Sequence, residues 1–493
     1  MMTRGPGTPA SGRAARLVAR VDHARGGLAL DVVLYAAGAV FAGLTAANAS
    51  LPPHRAWGHV AVIGYAAAAA VALAQAVAVR RRRFAGTPAR ALVTAAAFVA
   101  TAVLPMLLEA VARAGGRVDR AQEEVGVVES GGVRLIHSGT PYLSHDAIAA
   151  LPPGQQLDAY LPYQPGMAAY GLPKALAGTV WWTDARVWFT ATLVLTVGAA
   201  VWMLRGRGTG GDESRAQGWR DAALLRAVQA ATVFPICALT IATGGDDMPV
   251  LGLSLLAFAY AARRRYAAAG IAIGVAGALK LFAWPVALVL IALAAADRGD
   301  RAGPRPIAGR TPSVDRAGPP ALFRVPNWRA ALRCAAGAVG LPVLVLIPAF
   351  AVNRGAAVEN VVRFPLGRGL VRSPAASPFP GHLIADGVPG GHAVATVLLV
   401  AAACAIGVWL VWRPPADAGQ AAAIAAWGLL GAILLIPATR FGYLLYPVAY
   451  ACWVPALRPA TGRSVPTLGA TAAVAADPPT GAQLSSSREP PSA

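Results

Sequence analysis

The chain has 493 residues, of which 56% are hydrophobic and 13% charged, with a formal net charge of +20. A soluble domain could not solvate that much apolar surface, and several stretches reach the roughly 20 residues that span a hydrocarbon core. The positive excess does not indicate nucleic-acid binding: no known binding module is visible, and most of the excess arginine falls in short loops between apolar segments, where it sets membrane orientation.

Residues 1–27 form a basic tail carrying Arg4, Arg13, Arg16, Arg20 and Arg25, which keep it cytoplasmic. The tail lacks the short apolar core and small-residue cleavage site of a signal peptide, so the first span is its own insertion signal. Spans are predicted at about 28–48, 57–79 and 91–110, with Arg80 to Arg83 as the strongest orientation signal. Residues 111–179 are the longest polar segment and fall outside the cell. Their Pro, Gly and Tyr content predicts ordered loops and short helices on the membrane surface.

The next span, about 180–204, opens with Trp181 and Trp182 at interfacial depth, and Arg205, Arg207, Arg215 and Arg220 return the chain inside. A span at about 222–242 leads through the outer turn GGDD, Gly244 to Asp247, into another at about 248–262. There follows an apolar hairpin between two arginine clusters, Arg263–Arg265 and Arg298, Arg301 and Arg305. With both clusters cytoplasmic, the stretch must enter and return, and Lys280 stands at its turning point. Each arm has only about 14 residues, which predicts tilt or incomplete crossing.

Residues 297–330 form a cytoplasmic loop, 331–352 a span and 353–391 a second large outer loop. Spans at about 392–412 and 421–438 flank Arg413, and PATRFGYLLYPVAYACWVPAL makes a last short one. The tail 458–493, rich in Pro, Ser, Thr and Ala, reads as disordered and cytoplasmic. The fold class is therefore all-α: a polytopic transmembrane bundle over 28–457, with about twelve spans and both termini inside. Backbone groups cannot be left open to lipid, and alternating strands are too few for a barrel. Cys237, Cys334, Cys404 and Cys452 fall within spans without CxxC spacing and read as small apolar packing residues.

On this topology the outer side collects the charges that could do chemistry. Lys280, alone among apolar residues, is costly without an anionic partner and is a candidate phosphate contact. Arg363, Arg368 and Arg372 within RFPLGRGLVR, and Arg440, break the positive-inside pattern. Either they meet an anion such as a lipid phosphate, which a guanidinium fork fits, or they are solvated or paired with outer acids. Asp246 and Asp247 can orient a hydroxyl or a metal, or simply cap the following helix. With no third ligand nearby, no metal is assigned.

Glu123 and Glu124 can serve as general base toward an acceptor hydroxyl, or be merely solvated. His137 and His145 are equally open. No HExxH, CxxC, Ser/His/Asp spacing or phosphate-binding GxxxxGK[ST] loop occurs, which argues against a zinc protease and an ATP-driven pump. No cofactor is expected.

GGDDMPVLGLSLLAFAYAARRRYAAAGIAIGVAGALKLFAWPVALVL resembles the middle of the polyprenyl-phosphate-mannose-dependent mannosyltransferases, glycosyltransferase family 87, a DUF2029-like group of the GT-C superfamily. The family's glycine-rich helix ends in a Lys that matches Lys280. Its turn usually reads Gly-Gln followed shortly by Asn, where this chain has Gly245, Asp246 and Asp247. EEVGVVESGGVRLIHSGTPYL, with a Gly-x-x-Tyr ending at Tyr142, and then LPYQPGMAAYGLP are similar to the family's acid, spaced Gly-x-x-Tyr and Tyr/Pro-rich segment. The family acid, usually Asp, falls on Glu124 or on Glu123. The likeness covers about 110–450.

The resemblance implies a GT-C-like bundle with extracytoplasmic catalytic loops in a bacterial plasma membrane. It implies transfer of mannose or another hexose from a polyprenyl phosphate to a lipid or cell-envelope glycan. The outer acids would supply the base, and Lys280 with Arg363, Arg368, Arg372 or Arg440 the phosphate cradle. The alternatives are a lipid or solute transporter or flippase, or a degenerate membrane scaffold. A transporter should show mid-membrane charges and two similar halves, and neither is evident.

Overall fold

The computed structural model describes residues 24–78, 82–205, 211–297 and 326–459. Most of the basic N-terminal tail, Arg80, Arg298, Arg301, Arg305 and nearly all of the C-terminal tail lie outside the described residues. Every predicted apolar segment is a helix, and no strand longer than an isolated bridge occurs among the described residues. Among the described residues, seven helices are long and apolar enough to cross a membrane: α1 Leu28–Asn48, α2 Pro52–Val77, α3 Thr87–Ala114, α5 Ala185–Leu204, α11 Trp328–Val352, α12 Gly391–Trp412 and α13 Ala418–Leu435. The amphipathic α4, Glu123–Ser138, lies between α3 and α5.

Between α5 and α11 the elements are shorter. Residues Arg220–Thr232 of α6, Gly211–Thr232, and α7, Pro235–Thr243, form one apolar path bent by 45°. The break has a local cause: Pro235 opens α7 and pushes Phe234 into an extended conformation. Helices α8 Asp247–Ala262, α9 Tyr266–Leu279, α10 Trp284–Ala296 and, after α13, α14 Leu445–Leu457 have 16, 14, 13 and 13 residues. The hairpin arms are thus as short as the sequence requires. One predicted boundary moves: the span expected from 180 begins at Ala185, because Asp184 caps it and Trp181–Thr183 form a separate 3-10 turn.

Helix contacts rely on small residues, as expected where lipid competes with side chains for apolar surface. A Cβ on Gly270 would fall 2.1 Å from the carbonyl oxygen of Cys334, and one on Gly274 2.0 Å from that of Gly337. Only glycine lets α9 and α11 approach so closely. A second device sits in α3. Pro105 has no N–H to offer the carbonyl four residues earlier, that of Thr101, and the buried Trp57 of α2 donates Nε1–H to it at 2.7 Å.

The loops predicted to share one side do come together at one end of the bundle. Gln122 N donates to Thr243 O at 2.8 Å, Gln164 N to Leu279 O at 3.1 Å, and Ser377 N to Thr439 O at 2.9 Å. The Asn360 side chain accepts from Leu161 N at 2.8 Å. At the opposite end Arg264 pairs with Asp297, and Asn327 N donates to Ala295 O at 2.8 Å.

Candidate active site

The gathered loops enclose a cavity of about 540 Å³, counting the space at its mouth. Three parts of the chain build it. The first turn of α4 contributes Glu123 and Glu124, and the loop beyond it contributes Leu157, Asp158, Tyr160, Pro162 and Tyr163. The second large loop gives Phe364, Ser373, Pro374 and Ala375, and the approach to α14 gives Arg440 and Tyr443.

Local sequence explains why the acids sit there. Helix α4 buries Val125, Val128, Gly131 and Gly132 on one face. Its first turn then projects Glu123 and Glu124 at the positive end of the helix dipole, where carboxylates are favoured. The helix is held by charge: Arg113 of α3 grips Glu129 with two 2.6 Å bonds and reaches Asp184 at 3.1 Å, and Lys174 meets Glu129 at 2.6 Å. Burial would raise the Asp184 carboxyl, but Arg186 and Arg113 outweigh it and hold it at about 2.

Glu124 is paired with Arg440 across the cavity. Glu123 is exposed and, among the described residues, shows no ion pair. Arg440 is the one Lys or Arg side chain among the described residues that lines the cavity. The structure brings the Glu pair and Arg440 to one cavity, although 316 positions separate Glu124 from Arg440.

Lys280, Asp246 and Asp247 also come together, in a manner the sequence reading did not foresee. The anionic partner sought for Lys280 in a lipid phosphate is supplied by the protein. Its Nζ donates to Asp246 Oδ2 at 2.9 Å and to Asp247, which also accepts from the Tyr446 hydroxyl at 2.7 Å. Lys280 is 6% exposed and each aspartate 5%. The Asp246 side chain makes no capping bond; it is turned to the lysine. Gly245, at φ +88°, gives the turn its left-handed residue. The ammonium lies 5.1 Å from the Tyr163 ring centre and 5.4 Å from that of Tyr443, two rings that line the cavity. The ion cluster therefore sits behind an aromatic wall.

Tyr142 is buried and donates its hydroxyl to Tyr163 O at 2.8 Å, so it holds a lining residue in place. Arg363, Arg368 and Arg372 are exposed and do not line the cavity, and Arg363 pairs with Glu359 at 3.3 Å. Glu359, one of the acids the sequence places on the outer side, was given no role there and stands behind the lining. It is 1% exposed and accepts from Tyr160 at 2.8 Å; that phenol in turn accepts from Leu370 N at 2.9 Å and stacks on Phe364, 4.2 Å between ring centres. Burial pushes Tyr160 up to about 12, so it remains a donor. Burial alone would raise Glu359, but the bonds from Tyr160 and His145 lower it. The lining aromatics Tyr160, Tyr163, Tyr443 and Phe364 were missed as a set; the signal for three of them was the aromatic density of YLPYQPG, which holds Tyr160 and Tyr163, and of RFGYLLYP, which holds Tyr443, while Phe364 gave none.

Among the described residues no group of three or more His, Cys, Asp or Glu is placed to hold a metal ion. What the cavity offers is a carboxylate next to a guanidinium, two further acids and four aromatic rings: a space able to take a proton, hold one anionic group and stack on a ring.

Comparison with known proteins gives two matches. The chain is similar to a solved structure, the apo crystal structure of ArnT from Cupriavidus metallidurans, with 19% identity and a TM-score of 0.37 over 68% of this chain and 54% of that one. The chain thus spans about half the length of that protein. No curated protein matches it. The family model "Glycosyltransferase family 87" matches residues 160–437, more than half of the chain, which takes in Tyr160, Tyr163, the Lys280, Asp246 and Asp247 cluster and the second large loop, with Glu124, Arg440 and Tyr443 outside the match. The chain belongs to glycosyltransferase family 87, and its apolar helices are those of a multi-pass membrane protein.

Proposed function

We propose that the protein transfers a hexose, such as mannose, from a polyprenyl phosphate to a lipid or cell-envelope glycan, in a GT-C-type site on the non-cytoplasmic face of a bacterial plasma membrane. Glu124 is the general base and Arg440 the phosphate ligand. The acceptor hydroxyl gives its proton to Glu124 while its oxygen forms the new bond to the anomeric carbon. The bond from that carbon to the phosphate oxygen breaks, and the electron pair leaves with the polyprenyl phosphate, whose growing charge Arg440 offsets. The single observation carrying this reading is the Glu124–Arg440 pair on the wall of one cavity.

In the empty cavity the cation rests on the base. The incoming donor phosphodiester offers Arg440 a second anionic partner, whose charge grows from one toward two as the bond to the sugar breaks, and a move of Arg440 toward it frees Glu124 to accept a proton. Tyr160, Tyr163, Tyr443 and Phe364 offer ring faces for a sugar. Glu123 and Asp158 offer acceptors for its hydroxyls. Lys280 with Asp246 and Asp247 braces the wall from behind. Arg363, Arg368 and Arg372 then have no part in holding the transferred group.

The test is transfer from a labelled polyprenyl-phosphate hexose in membranes. Glu124→Gln should lose roughly 100- to 10,000-fold in rate with expression and donor binding kept. Wild-type transfer by this variant would remove Glu124 from the mechanism. Uptake or flipping by purified protein in vesicles, without any transfer, would replace the enzyme reading with transport.

A further inference from the structure

The arginines of RFPLGRGLVR are left unexplained by the cavity, which takes only Phe364, Ser373, Pro374 and Ala375 from their loop. Large apolar side chains stand exposed among them: Val362 at 42%, Leu366 at 51% and Leu370 at 39%. Further along, Leu383 and Val388 are exposed by 56% and 51%. This is not a frayed segment. Phe364 stacks on Tyr160, Leu370 N donates to the Tyr160 hydroxyl, Ser377 N donates to Thr439 O, and the Phe379 ring packs edge-on against Phe441 at 4.9 Å. The exposed leucines and arginines are held on an anchored surface.

The position of the loop says what covers that surface. It starts where α11 ends at Val352 and stops where α12 begins at Gly391, both helices of spanning length. It therefore lies at the depth where apolar helices leave the hydrocarbon. Water would suit Arg368 and Arg372 but not Leu366 and Leu370, and the acyl layer would suit the reverse. The headgroup boundary suits both at once. The charge is of the matching sign: Arg363, Arg368 and Arg372 against one exposed acid, Asp386, since Glu359 is buried.

We propose that residues 362–388 form a membrane-resting lip beside the cavity, with Leu366, Leu370, Leu383 and Val388 at the acyl boundary and Arg368 and Arg372 on the phosphates of anionic phospholipids. A planar guanidinium fits a phosphate diester, and a basic side chain near an anionic surface gains from its potential. This inference does not depend on the sugar-transfer chemistry.

The test uses the full chain, with exposed Cys404 and half-buried Cys452 replaced by serine and a nitroxide placed at Leu366→Cys, Leu370→Cys or Leu383→Cys. The protein is reconstituted in phosphatidylglycerol–phosphatidylcholine vesicles and in pure phosphatidylcholine vesicles. In the anionic vesicles the labels should be more accessible to oxygen than to a water-soluble nickel chelate. Combining Arg368→Gln with Arg372→Gln, or using pure phosphatidylcholine, should lower the immersed-to-free ratio by roughly fivefold per arginine contact removed. Equal nickel access in every case overturns the proposal. So does immersion indifferent to lipid charge and to both arginines, or dipolar broadening between labels, which would mean that a second copy covers the surface.

Discussion

The two ends of the bundle both bury charge, and they do so differently. At the end away from the cavity, Arg90 donates to Asp31 at 2.6 Å and 3.2 Å, Arg226 joins the same carboxylate, and Gln229 bonds Asp31 and Thr94 at 3.0 Å each. Arg90 also reaches the Gly26 carbonyl at 2.8 Å. The cluster ties α1, α3 and α6 together, and none of its members lines the cavity. At the other end Glu124 and Arg440 face open space, with Glu123 and Asp158 beside them. A closed ion cluster spends its hydrogen-bonding capacity on the fold and acts as a staple. An open pair keeps acceptors and a cation for something that arrives.

The Lys280 cluster lies between these cases: closed like the staple, yet directly behind the cavity wall. It shows that a lone lysine in an apolar stretch need not meet substrate. A buried cation needs a buried anion, and the nearest turn supplied two.

Changes at the open pair should show the largest effect, and in rate. Beyond Glu124→Gln, Arg440→Gln should slow transfer roughly 100- to 1,000-fold while the apparent melting temperature holds, since its partner is not fully buried. At the closed staple the effect should reverse. Arg90→Ala takes two bonds from buried Asp31, leaving it Arg226 and Gln229, and should cost about 1.5–3 kcal/mol of stability, read by thermal unfolding in detergent, with transfer per folded molecule unchanged. Equal losses of rate and stability at both sites would end the contrast.

The intermediate cluster can be assigned by rescue. Lys280→Met alone should destabilise the protein, because two buried carboxylates lose their cation. Adding Asp246→Asn and Asp247→Asn should restore most of the stability. If donor KM returns with it, Lys280 is a brace; if KM stays high, the lysine touches the phosphate after all.

A smaller effect tests the clamp on α4. Asp184 is held at about 2, below the ordinary carboxyl value of about 3.9, so its stabilising contribution is present above that value. That contribution, about 2 kcal/mol, is lost as pH falls from about 4 to about 2. Asp184→Asn should be less stable at neutral pH and flatter across that acid window.

Much of the fold was legible because membrane insertion imposes a one-dimensional code. Apolar length marks each helix, and arginine position marks which loops share a side, without reference to any contact. That is why α1 was placed to the residue, and why Glu124, Lys280 and Arg440 were expected on one face although far apart in sequence. The bend at Pro235 and the short hairpin arms follow equally from local chemistry. Pairing was not legible. Nothing in GGDD or in ALKLF says that their charges meet, and RFPLGRGLVR looks the same whether it lines a cavity or lies on a lipid surface. Those choices depend on which helix ends approach within a few ångströms. Glycines at Gly270 and Gly274, the Tyr160–Glu359 bond and the Arg113–Glu129 clamp set that approach, and tertiary packing alone decided it.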